Sequence, residues 1–151
     1  MLRMSKLTDY GTLVLSQLAT GGHSPSTAAA VAINTHIALP TVSKLLKALT
    51  RAGLVVSTRG AQGGYALARP AEAISAAEII DALEGPVAIT ECSANTGHCD
   101  IEAYCRVGRA WQRINQSIRE ALQHVTLADL QQKRRPMPAP DLQSGLRATA
   151  S

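Results

Sequence analysis

The chain of 151 residues has no phenylalanine, and aromatics make up only 3% of it. Its core must therefore be built from Leu, Ile, Val and Ala, a composition that favours packed helices. No apolar run approaches the roughly 20 residues that a membrane span needs, so no membrane partner is expected. No apolar signal core follows Met1-Leu-Arg-Met-Ser-Lys6, which makes a cytoplasmic location the expectation. No Ser/His/Asp set, phosphate loop or pair of catalytic carboxylates is visible, so an enzyme is not expected. Charge of one sign is missing by segment. Residues 1–70 carry a single acid, Asp9, against seven Lys/Arg. Residues 71–105 carry seven acids and no Lys or Arg, and residues 106–151 carry eight Lys/Arg against three acids. A basic N-terminal region points to a polyanion partner. Cysteine is absent except at Cys92, Cys99 and Cys105. Three thiols cannot all pair within one chain, so metal binding or redox sensing is their better use.

What is present in residues 1–70 reads as a winged helix-turn-helix. Ser5 to Thr20 is expected as a helix, with Leu7, Tyr10, Leu13, Val14 and Leu18 near one face, Asp9 opposite Leu13, and Gly21-Gly22 as the stop. Ser24 and Pro25 fit the cap and first position of a second helix running to about Asn34. After a turn at Thr35-His36-Ile37, Pro40 opens a third helix that ends at Gly53. A short helix, a tight turn and another helix is the helix-turn-helix arrangement. In the third helix Val42, Leu45, Leu46 and Leu49 form an apolar stripe, while Thr41, Lys44, Lys47 and Arg51 recur on another face. Hydroxyls and cations there suit base edges and phosphates. Leu54-Val-Val-Ser57 and Tyr65-Ala-Leu67 read as paired strands around the loop Thr58-Arg-Gly-Ala-Gln-Gly-Gly64. The glycines would let the backbone approach DNA, and Arg59 would enter a minor groove.

Residues 71–105 read as a linking helix, opened by the capping box Ser75-Ala-Ala-Glu78 and ended by Gly85-Pro86, followed by the cysteine segment. The spacing Cys92-x6-Cys99-x5-Cys105 places soft thiolates together, as zinc, copper(I) and iron–sulfur clusters require. Spacing alone does not separate these. A fourth ligand would come from His98, Asp100, Glu102, Asp9 or a second chain. Residues 106–130 read as a dimerisation helix, because Val107, Trp111, Ile114, Ile118, Ala121 and Val125 form a heptad seam. Residues 131–151 read as a disordered tail.

Several of these stretches carry a family likeness. They are Lys6-Leu-Thr-Asp-Tyr10, Leu39-Pro-Thr-Val-Ser-Lys-Leu-Leu46, Gly53-Leu-Val55, Arg59-Gly-Ala-Gln-Gly-Gly-Tyr65, Glu78 to Leu83, and the three cysteines. Over about residues 1–130 the chain resembles the Rrf2 family of bacterial winged-helix regulators. Leu83-Glu-Gly-Pro86, Thr90-Glu-Cys-Ser93 and Trp111-Gln-Arg-Ile-Asn115 resemble its branch that regulates SUF-system iron–sulfur assembly. The resemblance implies a homodimer that binds palindromic double-stranded operator DNA, probes it with Thr41, Ser43, Lys44, Lys47 and Arg59, and carries one iron–sulfur cluster per subunit, 2Fe-2S or 4Fe-4S. Cys92, Cys99 and Cys105 fall on the family's ligand positions. One family precedent has a His three residues past the last cysteine as fourth ligand, where this chain has Gly108. Another has an Asp of the first helix, supplied by the partner subunit, and Asp9 matches it. The function so implied is a transcription regulator, a repressor of iron–sulfur assembly genes. A thiol-redox or zinc-dependent regulator on the same scaffold is the alternative.

Overall fold

The computed structural model describes residues 4–22, 24–90 and 106–131. These form a mainly α-helical fold with one two-stranded hairpin. Helix α1 (Lys6–Thr20) starts at Ser5, whose hydroxyl accepts the Leu7 N–H. Its buried face is Thr8, Gly11, Val14, Leu15 and Leu18. Leu13, expected on that face, is half exposed at 50%. Asp9 does not oppose it. Four residues apart on a helix, the two share a side, and both line one apolar groove.

Helix α2 (Ala28–Thr35) begins later than Ser24-Pro25 suggests. Its cap is Thr27, whose hydroxyl accepts the Ala30 N–H at 3.1 Å. The residue before it cannot be helical, because Ser26 exchanges two backbone hydrogen bonds with Tyr65, each 2.8 Å. His36 in the left-handed region, φ 57°, ends α2 and makes the turn. Helix α3 (Leu39–Arg51) then runs with Pro40 in its first turn and buries Val42, Leu45, Leu46 and Leu49. Strands β1 (Val55–Thr58) and β2 (Gly64–Leu67) pair antiparallel, with Ser57 opposite Tyr65 and Val55 opposite Leu67. Beyond a 3-10 turn at Ala71–Ala73, helix α4 (Ala76–Glu84) opens with the expected capping box between Ser75 and Glu78.

Residues 106–130, expected as one helix, are two. Helix α5 (Gly108–His124) stops at Val125, which is extended. The Val125 carbonyl accepts the Ala76 N–H, and the Leu127 N–H donates to the Ile74 carbonyl, both at 2.8 Å. Thr126 and Asp129 then cap a new helix, α6 (Leu127–Gln131), by reciprocal side-chain-to-backbone bonds of 3.2 and 2.9 Å. This break puts Leu127, fully buried, into the core cluster with Val14, Leu15, Val31, Leu46, Leu49 and Ile74. Helix α5 lies on α4, joined by the Arg119–Asp81 ion pair at 2.9 Å. Gly108 and Asn115 are its buried residues. The apolar seam residues Val107, Trp111, Ile114 and Val125 are exposed.

Candidate nucleic-acid interface and cysteine segment

Amphipathic α3 buries its leucine stripe and so must turn its cations outward. Ser43, Lys44, Lys47, Thr50 and Arg51 recur at helical spacing and line a groove of about 590 Å³. The opposite wall is the hairpin, through Ser57 of β1 and Tyr65 of β2. Four of the expected DNA-binding residues thus come together: Ser43, Lys44, Lys47 and Arg51. Thr41 is half-buried and Arg59 is exposed in the strand connection, and neither lines the groove. Thr50, Ser57 and Tyr65 were not anticipated. Thr50 follows Lys47 by three and was open to the same helical count. Ser57 and Tyr65 emerge only once the strand register is known.

The electrostatics of the groove are one-sided. Among the described residues the salt bridges are Arg69–Glu78 at 2.6 Å and Arg119–Asp81 at 2.9 Å. Both use an acid of α4. Lys44, Lys47, Arg51 and Arg59 have no carboxylate partner among the described residues.

Two of the wing glycines are required by the fold, whereas a Cβ on Gly60 would meet nothing within 4 Å. A Cβ on Gly64 would stand 2.7 Å from the Ser26 carbonyl oxygen, and one on Gly63 would run into the backbone of Thr58 and Arg59. Gly63-Gly64-Tyr65 therefore marks where the hairpin docks on the strand-like residue ahead of α2.

A second locus lies at the start of α1. The Glu84 carboxylate, at the end of α4, accepts the Ser5 N–H at 2.8 Å and the Ser5 hydroxyl at 2.9 Å. It also accepts the Thr8 hydroxyl. The Thr8 hydroxyl and then the two Ser5 donors hold the Glu84 carboxyl below the ordinary carboxylate range. Five residues on, the Ile89 N–H donates to Oδ1 of buried Asn115 at 3.2 Å. The stretch ahead of Cys92 is thus fastened to both α1 and α5. Asp9, one residue past Thr8, is exposed beside an apolar groove of about 490 Å³ and has no ion pair or hydrogen bond within the described residues. Cys92, Cys99 and Cys105 lie outside the described residues, as do His98, Asp100 and Glu102. Among the described residues no three His, Cys, Asp or Glu side chains gather as a metal site. The donor chemistry still fits a cluster. Three thiols and one uncommitted carboxylate are a donor set of the kind such a cluster, or zinc, takes.

The family model Rrf2, described as an iron-dependent transcriptional regulator, matches residues 4–133. The chain belongs to the Rrf2 family. Protein rrf2 of Nitratidesulfovibrio vulgaris is 32% identical over 130 residues, covering 85% of this chain and 87% of that protein. Among solved structures, B. subtilis CymR (YrzC), the global cysteine regulator, is 33% identical with a TM-score of 0.66, covering 87% of this chain and 97% of that one. T. potens IscR is 32% identical with a TM-score of 0.62 and covers 85% of each chain. The oxidized form of Staphylococcus aureus CymR is 30% identical with a TM-score of 0.62, covering 88% of this chain and 98% of that one. As an Rrf2-family member the chain is a winged-helix transcription regulator and not an enzyme. Rrf2 proteins are DNA-binding and generally dimeric. No single helix among the described residues is long and apolar enough to cross a membrane.

Proposed function

We propose that this Rrf2-family protein is a cytoplasmic, homodimeric repressor of iron–sulfur assembly genes that senses cluster status through a bound iron–sulfur cluster. The observation that carries its DNA-binding half is the groove between α3 and the hairpin, whose cations have no partner among the described residues. Ser43, Lys44, Lys47 and Arg51 meet operator DNA there, with Thr41 and Arg59 reaching bases or phosphates beyond the groove. Cys92, Cys99 and Cys105 hold the cluster, and the partner subunit's Asp9 completes it. Asp9 suits this because its carboxylate is exposed and uncommitted, and because Thr8 beside it is tied to Glu84. When bound, the cluster supplies a redox- and ligand-sensitive centre. This chain supplies the thiolates, the carboxylate and the path from Glu84 to α1, which packs on α3.

A second reading draws on the oxidized CymR relative: the thiols act as a redox switch, or bind zinc, on the same scaffold. The separating experiment is anaerobic purification, a visible absorbance spectrum, and counts of iron, sulfide and zinc. A brown protein with matched iron and sulfide is expected. A colourless protein after reconstitution, with or without zinc, would discard the cluster and leave the DNA-binding reading in place. Asp9→Ala is expected to weaken cluster retention, and unchanged retention would remove Asp9 from the ligand set.

A further inference from the structure

The hairpin wall of the DNA groove changes character along its length. Side chains on a strand alternate, so Val55 and Ser57 share one face of β1, as Tyr65 and Leu67 do on β2. At the inner end this face is Val55 opposite Leu67, packed into or against the core. At the outer end it is Ser57 opposite Tyr65, and both residues line the groove with Lys47 and Arg51. Apolar side chains thus give way to hydroxyls where the hairpin leaves the core and faces the cations of α3.

Tyr65 is held from the side away from Ser57. Its N–H and C=O both bond to Ser26, at 2.8 Å each. Backbone N–H and C=O of one residue point to the same side of a strand, so the Ser57–Tyr65 pair is of the non-hydrogen-bonded kind, in which side chains lie closest. The Tyr65 ring packs against the core, and the residue still lines the groove. The bonds found among the described residues engage neither the Ser57 nor the Tyr65 hydroxyl. A rigid, half-buried ring with an uncommitted hydroxyl beside two unpaired cations has the chemistry of a phosphodiester seat: neutral O–H donors fix position while the cations supply charge.

We propose that Tyr65 and Ser57, with Lys47 and Arg51, form a seat for one phosphate of the DNA backbone, and that Tyr65 is a positioning residue for the duplex. This rests on the DNA-binding reading above. The contact is to the backbone, so it acts on every sequence alike. The Tyr65 and Ser57 hydroxyls are uncharged, so their share of the contact releases no counterion of its own.

The test titrates the full-length protein, as purified, with a fluorescein-labelled duplex of mixed sequence across a salt series. Wild type, Tyr65→Phe, Ser57→Ala and Lys47→Ala are compared. Tyr65→Phe and Ser57→Ala should each weaken binding roughly three- to tenfold at every salt concentration, the loss of one hydrogen bond, with the slope of log K against log salt unchanged. Lys47→Ala should make that slope shallower by about 0.9 per lost phosphate contact. Wild-type affinity in both Tyr65→Phe and Ser57→Ala would overturn the seat while leaving DNA binding intact. Absence of salt-dependent binding by the wild type would overturn the DNA-binding reading and the seat with it. Tyr65→Phe keeps the ring and every backbone bond, and Ser57→Ala changes an exposed position, so neither readout is confounded by unfolding.

Discussion

Glu84 serves as one acceptor for three donors, and its protonation has a defined direction of effect. Its folded carboxyl lies below the ordinary value of 4.5 because the Thr8 and Ser5 donors favour the charged form. The stabilisation is therefore complete above about pH 4.5, the unfolded value. It is lost as pH falls through the lower folded value. Thermal melts of wild type and Glu84→Gln across pH 3 to 7 should differ most at neutral pH and converge in acid. Parallel curves would mean that the Ser5 and Thr8 bonds contribute nothing that depends on charge. Gly64 is constrained by space. A methyl group there meets the Ser26 backbone at 2.7 Å, which cannot yield as a flexible side chain would. Gly64→Ala should cost about 1–3 kcal/mol, the range for overpacking, in urea unfolding. An unchanged midpoint would show that the hairpin can shift away from α2.

At the scale of elements, the short α6 matters out of proportion to its length. Leu127 is fully buried among residues of α1, α2 and α3, so Leu127→Ala should destabilise by about 2–5 kcal/mol, against little for the half-exposed Leu130. The exposed face of α5 predicts the reverse. Ile114→Asp places a charge on a surface position and should spare the fold while shifting a dimer toward monomer in light scattering at micromolar concentration. A variant that stays dimeric would move the interface off this face. Elements fixed by local pattern are legible in the sequence: the stripe of α3, the capping box of α4 and the positions of both strands. Elements decided by distant partners are not. Ser24-Pro25 suits a helix start as well as Thr27 does, and only the pairing of Ser26 with Tyr65 decides between them. The heptad count runs through Val125 without a gap, yet two backbone bonds to Ile74 and Ala76 break the helix there. The local sign was Thr126-x-x-Asp129, a capping pair that marks a new start. For the site, the α3 cations are legible from periodicity, whereas the hairpin's share requires the register.

Over the whole molecule, the segmented charge resolves into two kinds of surface. The three acids of α4 are engaged inside the chain: Glu78 pairs with Arg69, Asp81 with Arg119, and Glu84 accepts from Ser5 and Thr8. The basic residues of α3 have no such partners among the described residues. Acids of α4 engaged in this way do not compete for the cations of the DNA groove. The groove is also assembled entirely from residues 43–65, apart from the Ser26 strut, and the cysteines lie beyond residue 91. DNA affinity and cysteine chemistry should then be separable. A Cys92→Ser, Cys99→Ser, Cys105→Ser triple variant is expected to purify without colour, yet to bind a mixed-sequence duplex with the salt slope of the wild type. Its preference for operator over mixed sequence should change, because Glu84, at the end of the helix that precedes the cysteine segment, is bonded to α1, and α1 packs on α3. If the variant loses the salt-dependent binding as well, the cysteines are needed to form the groove itself. If it keeps both the binding and the preference, the cysteine segment does not communicate with α3, and sensing would need another route. Linkage requires that DNA, in turn, bias the cysteine centre by the same free energy. Operator DNA should therefore shift the stability of the bound cluster in wild type, and a cluster whose lifetime ignores saturating operator would end the case for coupling.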